Sequence, residues 1–194
     1  PTSLTTPYGE EQRVQQMTRE DFDALIKWAQ RPGAKSRAYI GWELSARFGY
    51  RVAGAASARV NDVHLERKGH FGFGQVHIVE KGNRERDVDI KTMEDRLFLE
   101  KLIEGKALEE KLVGIAAGSI NRQMHRGMEA LGIKDKYPLT AEHSIRKLYA
   151  QELWNQCRSE GMSRQDCIRY CNVQLGHSQT RNIELLTRYV HDMN

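Results

Sequence analysis

The sequence predicts an α+β fold, mostly helical, with one small three-stranded antiparallel sheet. Two observations carry this. Apolar residues recur at helical spacing over most of the chain, with capping residues ahead of the segments and glycines behind them. A single zone, between Val63 and Ile90, alternates in the manner of strands, in three runs separated by glycine turns.

In chain order, the residues up to about Met17 read as a flexible, polar tail, with residues 18–194 forming the domain. Thr18-Arg19-Glu20-Asp21 opens a helix: Thr18 can cap it and the acids sit in its first turn. Phe22, Leu25, Ile26 and Ala29 share one face, and Arg31-Pro32-Gly33 ends it. A second helix is predicted over Ala38–Phe48, with Ile40, Leu44 and Phe48 on a stripe and Gly49 as terminator. Arg51 begins a short helix whose alanines permit close packing. The strand runs are Val63–Glu66, Gln75–Val79 and Asp87–Ile90, with turns at Gly69–Gly74 and Gly82-Asn83. Leu97, Phe98, Leu102 and Ile103 mark the next helix. Leu112 through Leu131 mark another, which Gly132 ends. Thr140-Ala141-Glu142-His143 signals a helix start, with Leu148 and Leu153 facing inward. Ser163 can cap a helix running to Gly176, and Ile183, Leu185 and Leu186 mark a short one near Tyr189.

The chain has 194 residues, 39% hydrophobic and 29% charged, which suits one domain with an ample core. No apolar run is long enough to span a bilayer, so no membrane partner is expected. The start, PTSLTTPYGEEQ, is polar, so no secretory signal is expected there. Beginning at Pro1 rather than Met, the chain is expected to be a fragment or a processed product. The net charge is +4, which permits a polyanionic partner without requiring one. Cys157, Cys167 and Cys171 form an odd, sparse set, as in a reducing compartment. Cys167 and Cys171 are four apart on one helix face, and with His177 nearby a zinc site can be imagined, but two small buried side chains are the expected use of the pair. There is no P-loop pattern and no carboxylate cluster suited to two metals, and no metal or other cofactor is expected.

Several residues have both a bland and a chemical reading. A tyrosine such as Tyr189 usually packs its ring on a core and lets its hydroxyl reach a neighbour. A phenolate can also attack phosphorus and hold a covalent intermediate, provided that cations or a base assist it. Arg51 is a surface arginine by default, but it follows a glycine turn and precedes an alanine-rich helix. Lys81 in EKGNRER reads first as a solvated hairpin-tip charge. His143 and Arg146 are three apart and share a helix face.

Taken together, Gly49-Tyr50-Arg51, Lys81, the His143-Ser144-Ile145-Arg146 pair, Leu175-Gly176-His177 and Tyr189-Val190-His191 stand in the order in which the tyrosine recombinases, or phage-integrase family, carry their motifs. The chain resembles that family from about Arg37 to His191. The resemblance implies a catalytic domain of mostly helices with a small sheet, lacking the separate N-terminal core-binding domain. It implies that Tyr189 attacks a DNA phosphodiester and forms a 3′-phosphotyrosyl link. Arg51, Arg146, His143 and His177 would stabilise the pentavalent transition state. Lys81 would protonate the leaving 5′ oxygen, and Arg84 and Arg86 would contact phosphates.

Two departures stand out. The family often has an acid three residues after its first arginine, where this chain has Gly54. The stretch from His177 to Tyr189 is longer than usual by about one helical turn. The implied partner is double-stranded DNA, bound as a homotetramer, in a bacterial cytoplasm. Two rival readings are a type IB topoisomerase, which nicks and reseals with the same residues, and a DNA-binding module that has lost cleavage.

Overall fold

The structure is a computed structural model and describes residues 15–80, 82–138, 141–177 and 183–194. Its helices are α1 (Arg19–Ala29), α2 (Ala38–Phe48), α3 (Val52–Ser57), α4 (Met93–Ile103), α5 (Ala117–Ala130), α6 (Ala141–Ser159), α7 (Arg164–Gln174) and α8 (Ile183–Thr187). The strands are β1 (Val63–His64), β2 (Gln75–Glu80) and β3 (Arg84–Asp89), antiparallel, with β2 in the middle. The mostly helical α+β architecture is the one the sequence predicts.

Local chemistry explains the helix boundaries. Thr18 Oγ1 accepts from the Asp21 amide at 3.1 Å and caps α1, a contact worth about 1 kcal/mol. Ser163 caps α7 in the same way. Gly49 ends α2 in the left-handed region, φ 69°. A side chain there would also collide with the Tyr149 ring, 2.6 Å from an ideal Cβ. Glycine is therefore required at this turn both by conformation and by space.

Helix α2 packs on α6 and α5, α3 on α5 and β2, and α7 on α6 and β3. Trp42, Phe48, Tyr50, Tyr149 and Trp154 are all essentially fully buried where these elements meet. The two central helices, α2 and α6, thus carry the core, and α6 together with the turns that end α2 and α7 carries the candidate site.

The structure corrects five local expectations. Met17 is fully buried, and its amide donates to the Ser144 carbonyl at 3.1 Å. The chain is anchored at that residue, and the predicted tail before residue 15 lies outside the described residues. β1 is shorter than predicted. β3 starts earlier, at Arg84, because the tight Gly82-Asn83 turn lets Glu80 pair directly with Arg84. A charged Arg-Glu-Arg run has no apolar alternation to reveal that pairing. In α4 the buried apolar residue is Leu99, while Leu97 is 55% exposed. α5 begins only at Ala117. Leu112 is buried from the preceding loop, its amide bonded to the Ala58 carbonyl.

Lys147, on α6, is fully buried, and its ammonium has no hydrogen-bond partner among the described residues. Burial pushes it down to about 8. A lysine lowered in the fold destabilises it wherever it must stay protonated, so stability should rise with pH between about 8 and the unfolded value near 10.5. Lys147→Met is expected to stabilise the fold below pH 8 by about 1–3 kcal/mol and to remove that rise. Chemical denaturation at pH 7 and pH 9.5 checks both parts. A destabilised methionine variant would mean that Lys147 has an essential partner.

Candidate active site

The site is built around the Gly49 turn. Its carbonyl accepts from Arg146 Nη1 and, at 3.0 Å, from Arg86 Nη2. The second Arg146 nitrogen, Nη2, donates to the carbonyl of Leu175, the first residue of the Leu-Gly-His step. Arg146 is thereby stretched between the end of α2 and the end of α7, and its side chain has no exposed surface. Gly176, at φ 71°, turns the chain there, and a side chain would press on Arg86 Nη1 at 3.0 Å.

Arg51 is the N-cap residue of α3, with its side chain 43% exposed. It pairs with Glu80 Oε2. The other oxygen of Glu80 receives Arg86 Nη1 at 2.9 Å and Arg146 Nη1 at 3.3 Å. One carboxylate thus touches three guanidiniums. Burial, followed by the charge of Arg146, lowers Arg51 and pushes Arg86 down to about 9. The Nε–H groups of Arg86 and Arg146 are buried, with no hydrogen-bond partner among the described residues.

His143 stands one helical turn before Arg146 on α6. Burial, with the charges of Arg146, Lys147 and Arg51, pushes its imidazole down to about 4. His143 is therefore neutral at physiological pH and can both accept and donate. Glu142, beside it, is raised to about 7 by burial, against the pull of Arg146, and accepts from Ser45 Oγ at 3.3 Å. His177 follows the Gly176 turn, with Nδ1 3.3 Å from Asn172 Oδ1.

Tyr189 lies just past α8 and is 8% exposed. Its ring centroid is 5.3 Å from that of His143 and 5.0 Å from that of His177. The Arg146 guanidinium carbon is 6.0 Å from the same ring. The backbone beyond Tyr189 is held by Gln151 of α6. Its Oε1 accepts from the amides of His191 at 2.9 Å and Asp192 at 3.0 Å, and its Nε2 donates to the Asp192 carbonyl at 2.7 Å. The long stretch before the tyrosine includes residues 178–182, which lie outside the described residues.

The structure therefore brings Arg51, His143, Arg146, His177 and Tyr189 together. Lys81 lies outside the described residues, although its neighbour Glu80 is in the cluster. Arg84 is exposed on the hairpin. Arg86, expected to contact phosphate, is directed into the cluster. Its side chain is 7% exposed and turned onto Glu80 and Gly49.

Sequence reasoning missed Glu80 and Gln151. Glu80 had a signal: Val76, Ile78 and Glu80 alternate onto the same buried face of β2. Gln151 had none, because its partners are backbone groups forty residues away.

The three thiols converge, their sulfurs all within 4.8 Å of one another, and all are buried. A tetrahedral zinc site needs a fourth donor, and the group among the described residues ends at three. A cleft of about 890 Å³ lined by Arg19, Glu43, Arg47, Lys91 and Asp95 contains none of the site residues. Its charges pair largely with one another.

No family model matches the sequence, and no curated protein matches it significantly. Solved structures do match. The XerA recombinase is 18% identical, with a TM-score of 0.61 over 99% of this chain and 64% of that one. The XerH site-specific recombinase, in a post-cleavage complex with a palindromic difH substrate, is 16% identical, with a TM-score of 0.59 over 91% of this chain and 49% of that one. The lambda integrase catalytic core is 14% identical, with a TM-score of 0.55 over 87% of this chain and 94% of that one. The chain thus spans about half to two-thirds of the two recombinases and nearly all of the isolated catalytic core. At these identities the likeness is one of architecture, and the architecture is that of the tyrosine-recombinase catalytic domain.

Proposed function

We propose that this chain is the catalytic portion of a site-specific DNA recombinase, cleaving and rejoining strands through a 3′-phosphotyrosyl intermediate. The observation that carries the reading is the enclosure of Tyr189 between two imidazoles and above Arg146. A tyrosine that served packing alone would not need a neutral histidine and a buried guanidinium around its ring.

Each group then has a role. The Tyr189 oxygen attacks phosphorus in line, forming a P–O bond as the bond to the 5′ oxygen breaks. His143, neutral at working pH, accepts the phenol proton once the negative charge of the bound phosphate offsets the burial and the cations that hold its imidazole low. Arg51 and Arg146 hold the non-bridging oxygens and carry the positive charge that the transition state needs. His177 donates to a phosphate oxygen. Lys81, from the hairpin, gives the leaving 5′ oxygen its proton. A 5′ hydroxyl from another strand reverses the sequence, so no nucleotide hydrolysis is required. DNA is the partner of the exposed Arg84 and Arg51, and strand exchange would be completed on a tetramer.

The test is covalent trapping. A duplex nicked so that the cleaved 5′ fragment diffuses away should accumulate a protein–DNA adduct that survives denaturation. Excess chelator should leave the yield unchanged. Absence of adduct across a library of recombination-site duplexes would leave a non-cleaving DNA-binding module. Relaxation of supercoils without strand exchange would make the chain a nicking and resealing enzyme.

A further inference from the structure

The three guanidiniums around Gly49 come from separate parts of the chain: Arg51 from the cap of α3, Arg86 from β3 and Arg146 from α6. Placed together with no counter-charge, they would repel one another and turn outward. Glu80 is the carboxylate that all three reach. Its side chain is only 3% exposed, so water does not screen it. Glu142 is another acid close to Arg51 and Arg146, and burial raises it. Among the described residues, Glu80 is the acid whose two oxygens pair with all three guanidiniums.

Its route into the cluster is informative. Gly54 lies three residues after Arg51, on the buried side of α3. A Cβ added at Gly54 would lie 3.3 Å from Tyr50 Cδ1, whose buried ring must yield slightly, 3.5 Å from the Val79 carbonyl oxygen and 3.9 Å from Glu80 Cγ. The stem of Glu80 passes beside the place where a side chain at position 54 would begin. An acid on α3 at that position and the acid on β2 would address the same space. The chain has the second and not the first.

Resting on the recombinase reading, we infer that Glu80 is the positioning residue of the arginine cluster, its carboxylate arriving from β2 in place of an acid at position 54. It orients Arg51 and Arg146 toward an incoming phosphate. Because Lys81 follows it directly, it also ties the base of the hairpin to the cluster. Glu80 itself touches no substrate.

The experiment relocates the carboxylate. Glu80→Gln, Glu80→Ala, the double variant Glu80→Ala/Gly54→Glu and its control Glu80→Ala/Gly54→Ala are compared with the wild type in three measurements: single-turnover adduct formation on nicked DNA, DNA affinity, and thermal midpoint. Glu80→Gln keeps the shape and removes the charge. It should slow adduct formation on the order of 10²-fold, the usual consequence of misplacing a reacting group by about an ångström, with DNA affinity nearly unchanged. Adding Gly54→Glu to Glu80→Ala should recover at least a tenth of the wild-type rate and raise the midpoint toward wild type. Wild-type cleavage by Glu80→Gln would overturn the inference. So would a double variant no faster and no more stable than Glu80→Ala/Gly54→Ala, the control that carries the same contact with Tyr50 without the acid. If the wild type forms no adduct, the recombinase reading falls. The midpoint comparison then still decides whether a carboxylate at position 54 can stand in for Glu80.

Discussion

Tyr189→Phe should abolish the covalent adduct while leaving DNA affinity within about threefold of wild type. The substitution removes one oxygen, and affinity for duplex DNA comes mainly from phosphate contacts with cations, which remain. The ring contacts with His143 and His177 remain in the variant, although the hydrogen bond between Arg146 and the hydroxyl is lost. Val190, 1% exposed, and the Gln151 clamp hold the backbone on the far side. The readout is a denaturing gel of the trapped complex beside a filter-binding titration at fixed salt. An adduct with the phenylalanine variant would assign the chemistry to another nucleophile. A large loss of affinity would mean that the phenol contacts DNA as a binding group.

Arg146→Lys should lower the rate of adduct formation by about 10²–10³-fold, the usual effect of deleting one preorganised transition-state contact. The substitution keeps a positive charge, so the loss must come from shape. The guanidinium spans the Gly49 and Leu175 carbonyls and the Glu80 carboxylate at once. A lysine is a point charge on a flexible stem and cannot reach all three. Acceptors left unpaired in a buried setting should also lower stability by about 1–3 kcal/mol. Single-turnover kinetics and a thermal melt separate the two effects. An unchanged cleavage rate in a folded lysine variant would show that Arg146 is a structural strut between α2 and α7 and makes no contact with the phosphate.

The two variants test different parts of the same site. On the proposed mechanism Tyr189 forms the bond, so its loss should be total. Arg146 would stabilise charge as well as brace the architecture, so its loss should be large but finite, with the larger stability cost.

Much of this protein was legible in the sequence because it depends on neighbours a few residues apart. The caps at Thr18 and Ser163, the terminators Gly49 and Gly176, and the β2–β3 turn at Gly82-Asn83 are local, and each appears in the structure where expected. His143 and Arg146 could be placed together from helix periodicity alone, and the order of the motif residues needed no coordinates. What only the tertiary structure decided depends on chain crossings. Glu80 meets arginines at positions 51, 86 and 146 because a strand end, a helix cap and a helix face converge on the Gly49 carbonyl. Arg86 faces inward because Gly176, with no Cβ, leaves room for its guanidinium against the start of the His177 turn. Tyr189 is enclosed because Gln151, distant in sequence, binds the backbone after it. Sequence pattern specifies which face of an element is apolar, since burial of apolar area is additive and local in register. It does not specify which buried charges will share a counter-ion, because that is decided by a few ångströms of packing between elements that sequence keeps far apart.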